Sequence, residues 1–386
     1  MKSTLRISRT GRSPPKMKSE LSTAGIDGDT QIDSASQPRV NSVLPVLTRG
    51  VRRTATATLT WLARVNCLLS SRKLIVLVAH YCDRDKPTAL DTESIRTNLT
   101  YLRESCTVLP LHEALNRLAR GKPLPRRAVS LVIDDAALPF YRVAWPLLKE
   151  CDGLPFSLAV IPGLIRSDSS DHLISRVMYG MTSLRDRPSR KELLDRANSW
   201  LGIEDREEEP TLEALFLSLQ RLSRDALGEL VQYLDVPNED FMTWEQLTEL
   251  RSTGSVHLVS HSMSHPRFRY VEGDWLDWEV RRSKEILENQ LGEDVQTFVF
   301  PYGSPKGVTT PVRESLKRNG YHFAFLTTPG LVTVDKDRFL LPRVDAEVPE
   351  AQFRRNTNTL RLSFSERRPA PTIPNPISAS LGPLGP

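Results

Sequence analysis

The chain has 386 residues and a formal net charge of +5, with 39% apolar and 26% charged residues. That length allows one large domain or two ordinary ones, and that composition excludes a collagen-like, low-complexity or multispanning membrane chain. No run of ~18 apolar residues predicts a transmembrane helix. Cys67, Cys82, Cys106 and Cys151 lack the CxxC spacing of a zinc finger or a thiol–disulfide motif.

The charge is unevenly placed. Residues 1–73 carry thirteen Lys or Arg against four Asp or Glu, a balance of +9, which leaves −4 for the rest. Residues 1–72 therefore read as a basic, largely disordered N-terminal extension, rich in Ser, Thr and Pro. Within it, 51–70 (VRRTATATLTWLARVNCLLS) has the pattern of a short basic amphipathic helix. Arg64 interrupts its apolar stretch and it lies far from the start, so it is no standard secretory signal. Location stays open between the cytoplasm and export by an unrecognised route. Contact with nucleic acid or an anionic membrane through this segment is at most an accessory property, and no nucleic-acid partner is expected.

From residue 73 the pattern changes. KLIVLVAHY is a short apolar run with β-branched residues and predicts a buried strand. Ile95, Leu99 and Leu102 have helical spacing; TVLPL is a second strand; 112–120 is a short helix stopped by Gly121. AVSLVIDD (128–135) is a strand running into two carboxylates, followed by a helix at 139–150 and a strand at 155–162. Residues 164–250 are helical and charged, with an acidic run at 204–209, and read as an insertion between strands. VHLVS (256–260) is a strand ending in His261, a charged helix follows at 274–290, and TFVFPYG (297–303) is a strand with a sharp turn. A helix at 310–319, a strand at 322–328 and a last strand at 338–346 complete the body, and 349–386 reads as a Pro-rich tail. Alternating strands and helices predict an α/β fold with a parallel sheet, whose chemistry sits at the C-terminal strand ends.

Three segments at such ends carry chemistry: VIDDA, SHSMSHP and FPYG. Asp134 and Asp135 are adjacent at a strand end, so they point to different sides and serve different roles. His261 and His265 are four residues apart, which in a helical turn sets two imidazoles on one side, within reach of one ion. His257 is expected to point away from them. Two His and one Asp with open positions make a catalytic divalent-metal site, for which Zn²⁺ is the leading candidate. Asp135 then serves as ligand and Asp134 as the base that takes a water proton. The Pro301–Tyr302–Gly303 turn can aim a backbone N–H at a developing oxyanion.

In this order and strand context, the three segments resemble those of the polysaccharide deacetylases, the NodB-homology proteins of carbohydrate esterase family four. Val132-Ile133-Asp134-Asp135-Ala136 stands where that family has Thr-Phe-Asp-Asp-Gly. His261-Ser262-Met263-Ser264-His265 is similar to its two-histidine motif, His-Ser/Thr-x-x-x-His or the like, here with the second His one residue nearer, and Phe300-Pro301-Tyr302-Gly303 matches its Pro-Tyr-Gly turn. FMTWEQLTEL, RNGYHFAFLTTPG and FLLPRV look like the same family, and the likeness runs from about Ile75 to Val344.

The resemblance implies a distorted (β/α) barrel of about seven strands, here over 73–348, with the helical insertion at about 164–250. It implies metal-dependent hydrolysis of N-acetyl groups on an aminosugar-containing glycan. Asp134 would be the base, Asp135, His261 and His265 the metal ligands, and Tyr302 N–H the oxyanion donor. Three departures stand out: Ala136 replaces Gly, no Arg precedes the Pro-Tyr-Gly turn to steady the base, and no late Leu-x-His supplies a general acid. One branch, resembling the poly-N-acetylglucosamine deacetylases, has a histidine after the first strand, and His80 takes that place as candidate acid. The departures leave one alternative, a catalytically impaired glycan-binding protein on the same fold. The glycan, the metal and the oligomeric state are not readable from the sequence.

Overall fold

A computed structural model describes residues 72–81, 90–183, 188–203, 211–236 and 241–358. The N-terminal extension up to residue 71 with its segment 51–70, the acidic run 204–209, residues 359–386, Cys67 and Cys82 lie outside the described residues.

The first half alternates as expected: β1 (Lys73–Ala79), α1 (Thr92–Ser105), β2 (Thr107–Val108), α2 (Leu111–Ala119), β3 (Ala128–Ile133), α3 (Trp145–Glu150) and β4 (Phe156–Val160). Helix α1 starts where the Asp91 carboxylate accepts the Ser94 N–H, and it buries Ile95, Leu99 and Leu102. Five helices then separate β4 from the next strand: α4 (Ser170–Ser183), α5 (Arg190–Leu201), α6 (Leu212–Leu219), α7 (Arg224–Tyr233) and α8 (Trp244–Ser252). After β5 (Val256–Ser260), the charged stretch forms α9 (Gly273–Asp277) and α10 (Ser283–Leu291), joined by a widened π-type turn at Trp278–Arg282. The chain ends with β6 (Thr297–Val299), α11 (Thr310–Arg318), β7 (Phe323–Phe325), β8 (Val332–Thr333), β9 (Val344–Asp345) and α12 (Glu350–Asn356). Helix α12 falls in the segment expected to be tail. Its Phe353 is fully buried, edge-on to Tyr101 at 6.2 Å, so apolar packing extends the folded body past residue 348.

The strand order is β7-β6-β5-β4-β3-β1-β8, with β2 on β3 and β9 on β1. Every pairing is parallel except that of β1 with β8. Segment 338–345 bonds to β7 through Leu341 and to β1 through β9, so it spans the two ends of the parallel array. The result is a distorted (β/α) half-barrel whose main path has seven strands, parallel except for β8, with surrounding helices. Strands such as β3 are buried along their whole length, which is why they read as unbroken apolar runs. One face (Ile75, Leu131, Leu158, Phe298) packs under the helices; the other (Val76, Val132, Ala159, Val259) packs with Leu111, Leu115 and Leu118 of α2. No helix among the described residues is long and apolar enough to cross a membrane.

Candidate metal centre and catalytic residues

The parallel array brings four chain segments to one edge. His80 follows β1, Asp134 and Asp135 follow β3, His261 follows β5, and Tyr302 follows β6. Backbone bonds hold these exits in line: Asp134 N–H donates to Ala79 O, and His261 N–H donates to Val160 O. All six residues singled out in the sequence thus lie at the C-terminal strand ends, where parallel sheets carry their sites.

Asp135 faces the two histidines. Its Oδ1 lies 3.3 Å from His261 Nε2 and 3.3 Å from His265 Nε2. The chain turns through the left-handed region at Asp135 (φ +75°) and Ala136 (φ +51°), which separates the two carboxylates. Ala136 stands where the family pattern has Gly, and holding a non-glycine residue there costs about 1–2 kcal/mol. His261 Nδ1 is 2.7 Å from Val299 O. That carbonyl can only accept, so Nδ1 carries a proton and Nε2 is the ring atom turned to Asp135.

The donors fit a cation. Asp135 Oδ1 is buried without a hydrogen-bond partner, and the three side chains offer ligand atoms within 4.8 Å of one another. Burial pushes the Asp135 carboxyl up, but the imidazoles of His265, His261 and His80 outweigh it and hold it well below the usual carboxylate range. Burial lowers His265, with Asp135 pulling it partly back, so its imidazole is neutral, as a ligand requires. Two nitrogens and one carboxylate oxygen facing one point suit a divalent ion with open positions.

The two histidines do not share a helical turn. Residues 261–265 form an irregular loop with Ser262 and His265 at positive φ. Ser262 Oγ accepts the His265 N–H at 3.1 Å, and the fully buried Glu279 clamps the rest. Its carboxylate accepts Met263 N–H (2.8 Å), Ser264 N–H (3.0 Å), Trp275 Nε1–H (2.9 Å) and the Ser264 hydroxyl. Burial still pushes its carboxyl up. Below the loop, Gly163 leaves room that a side chain would fill, since a Cβ there would lie 2.4 Å from Met263 O.

Asp134 is held from elsewhere. Arg343 makes two bonds to it, Nη1 to Oδ1 at 2.7 Å and Nη2 to Oδ2 at 2.9 Å, and Arg343 is fully buried. Burial raises the Asp134 carboxyl, but Arg343, His261 and His80 outweigh it and keep it low, hence ionised. The absence of an Arg before the Pro-Tyr-Gly turn therefore does not leave Asp134 untethered: the Arg comes from FLLPRV.

His80 Nε2 is 3.9 Å from Asp135 Oδ2, while its Nδ1 is 3.1 Å from Glu347 Oε2. Glu347 also accepts the backbone N–H groups of His80 (2.8 Å) and Tyr81 (3.0 Å). Burial works against the imidazolium, but Glu347, Asp135 and Asp134 together push His80 up to about 9. The Tyr302 ring sits 4.8 Å from the His265 ring, and its backbone has φ +58°. His257 lies at the other end of β5, packed against His112 at 4.0 Å. Arg343, Glu347 and Glu279 escaped the sequence reading.

Residues 209–324 match the family profile described as polysaccharide deacetylase. The match contains His261, His265 and Tyr302 and leaves His80, Asp134 and Asp135 outside it. Among curated proteins, the poly-beta-1,6-N-acetyl-D-glucosamine N-deacetylases of Escherichia coli K12 and O157:H7 are each 24% identical over 257 residues, which is 64% of this chain and 32% of theirs. The chain thus spans about a third of the length of these relatives. Among solved structures, IcaB from Ammonifex degensii aligns with a TM-score of 0.48 and 19% identity, over 75% of this chain and 97% of that one. The Streptococcus pyogenes deacetylase PplD aligns at 0.47 and 18%, over 71% and 92%. The profile match over residues 209–324 and the curated relatives make the polysaccharide deacetylases the family this chain is similar to.

Proposed function

We propose that the chain is a divalent-metal-dependent hydrolase that removes N-acetyl groups from an aminosugar-containing glycan. The observation that carries this reading is the pairing of an Arg-held base, Asp134, with the three-donor set of Asp135, His261 and His265 on one strand edge. The family and the named activity of the curated relatives, removal of N-acetyl groups from poly-N-acetylglucosamine, support it.

In this mechanism Asp135, His261 and His265 would hold the ion, for which the mixed nitrogen and oxygen donors favour Zn²⁺. A divalent ion there would supply Lewis acidity toward the acetyl carbonyl and the attacking water. The Asp134 carboxylate takes the proton of the attacking water as its oxygen bonds to the carbonyl carbon. Arg343 fixes both oxygens of that base and keeps it ionised. The Tyr302 backbone N–H steadies the oxyanion of the tetrahedral intermediate. His80, oriented by Glu347, gives a proton to the sugar nitrogen as the C–N bond breaks. The products are acetate and a free amine on the sugar.

The test is acetate release from N-acetylglucosamine oligomers, with and without chelator and with Zn²⁺ added back. Release that a chelator stops and Zn²⁺ restores is the expected result. Asp134→Asn should keep the metal and lose about 10²–10⁴-fold in kcat. No metal-dependent release from any N-acetylated oligosaccharide would overturn the reading, and a normal rate in Asp134→Asn would remove the base assignment.

A further inference from the structure

Beside the metal centre lies a cleft of about 1090 Å³ that the mechanism above does not use. Arg267 stacks over the Tyr302 ring at 3.8 Å, and Arg267 and Arg269 line both the cleft and a smaller cavity of about 80 Å³ beside Pro301 and Tyr302. Tyr302 in turn packs against His265 with ring centroids 4.8 Å apart, so Arg267 and Tyr302 link the cleft to the metal centre.

Its charge is opposite to that of the body. Residues 74–386 carry a formal −4, yet among the described lining residues four are cationic (Arg190, Lys191, Arg267 and Arg269) and Glu272 alone is acidic. Lys191 pairs with Asp195 at 3.2 Å, so the argument rests on the two arginines. Both are exposed. Among the described residues, the contacts of their guanidinium groups are with aromatic faces, Tyr302 for Arg267 and Tyr270 for Arg269 at 4.4 Å, and not with carboxylates. Stacking fixes such groups while leaving their N–H edges to bind a carboxylate or phosphate in the plane of the fork. Tyr270 is 53% exposed in the same cleft, which offers an aromatic surface to a sugar ring. The volume exceeds the ~300–1,000 Å³ usual for a small-molecule pocket, so it takes a chain of sugars in preference to one ring.

We propose that the cleft selects an anionic glycan, one carrying carboxylate or phosphate groups next to the N-acetylated sugar, with Arg267 and Arg269 as its specificity residues. This rests on the deacetylase reading for what happens at the metal centre, but not for what binds beside it. The shared chemistry is the anion; a uronate-type carboxylate and a phosphodiester are its two sources.

The experiment uses the full chain and three fluorescent oligosaccharides of equal length: neutral N-acetylglucosamine, an alternating uronate–N-acetylglucosamine, and a phosphodiester-linked N-acetylglucosamine. Binding is read by anisotropy at low and high salt, and acetate release is measured in parallel. One or both anionic probes should bind at least about tenfold tighter than the neutral one at low salt and lose that margin at high salt. The tighter of the two identifies the source. The Arg267→Gln/Arg269→Gln double variant should abolish the margin and leave the neutral probe within about twofold, while Arg267→Lys/Arg269→Lys should retain most of it. Equal binding of neutral and anionic probes, a margin that survives the double Gln variant, or a single-stranded oligonucleotide that binds as tightly as the glycans would overturn the proposal. Arginine-dependent binding without acetate release from any probe would sink the deacetylase reading and leave the cleft. Acetate release without any anion preference would do the reverse.

Discussion

Strand β5 has a histidine pair at each end, and the two pairs meet different neighbours. At its start, His257 packs against His112 of α2 with ring centroids 4.0 Å apart and the rings tilted by 58°. Just past its end, His261 and His265 lie 5.0 Å apart and share the Asp135 carboxylate. The first pair is the closer one, yet among the described residues only the second belongs to a three-donor group. What makes the difference is the third donor and the fixed tautomer. Val299 O ties down His261 Nδ1, and an Oδ1 without a hydrogen-bond partner sits between the Nε2 atoms. Proximity of two imidazoles makes a ring contact; a buried carboxylate with nothing else to bind makes it a ligand set.

The comparison breaks most directly at His261 and His257. His261→Ala should abolish bound Zn²⁺, measured as metal per chain after dialysis, and with it all metal-dependent turnover. His257→Ala should leave both unchanged. Equal metal loss in the two variants would show that the pair of His112 and His257 is a site too. The next effect in size falls on Arg343. Arg343→Met leaves Asp134 charged, buried and unpaired, and breaking a buried pair this way costs about 3–5 kcal/mol. The thermal midpoint should then fall by about 6–20 °C for a body of this size, and turnover should fall with it. Asp134→Asn/Arg343→Met, which removes the stranded charge, should recover much of the midpoint and none of the rate.

These partners also mark where the sequence stopped being readable. The strands were legible because both their faces are buried, so they appear as apolar runs, and the residues just past them name the site edge. Asp134, Asp135, His261, His265, His80 and Tyr302 are all of this kind. Arg343 lies within the last segment read as a strand and Glu347 just past it, but nothing local names what they hold, Asp134 and His80, 209 and 267 residues away. Glu279 was hidden differently. It sits in a stretch that reads as one charged helix, and in the π-type turn there its side chain is buried. The same limit applies to the His261 to His265 spacing, which suits a helix until Ser262 and His265 take up positive φ.

Glu279 sharpens the contrast at the level of the loop. Glu279→Gln places an NH₂ group against backbone and side-chain donors that now meet a carboxylate, so the loop carrying His265 loses its clamp. Support of this kind is worth about 10–100-fold in metal affinity. Chelator competition should show that loss, with turnover restored at saturating Zn²⁺. Unchanged affinity would mean that the loop holds its shape through Ser262 and Gly163 alone.

The smallest expected effect belongs to the pair of His112 and His257 and is a matter of pH. Burial lowers His112, with Glu113 and Glu293 pulling it partly back. Burial likewise lowers His257, which also feels His112 and Arg251. The folded protein thus disfavours their charged forms relative to the unfolded chain, whose histidines titrate near 6.5. Stability from the pair is fully present above that value and is lost as pH falls through the lowered folded values. His265, His172 and His322 are lowered as well, so the pair supplies only part of the acid sensitivity. The measurement is the urea midpoint of metal-free protein at about pH 7.5 and about pH 5.5. His80, held up to about 9, works the other way and adds stability toward acid, but equally in both chains, so the pair is read from the difference between them. Going from about pH 7.5 to about pH 5.5, the native chain should lose more midpoint, or gain less, than His112→Gln/His257→Gln. An equal change in both would place the acid sensitivity elsewhere, and a larger loss toward acid in the double variant would reverse the sign assigned to the pair. Metal-free protein is required because, in the metal-dependent reading, acid would also protonate His261 and His265 and release an ion held there, an effect that belongs to the other end of β5.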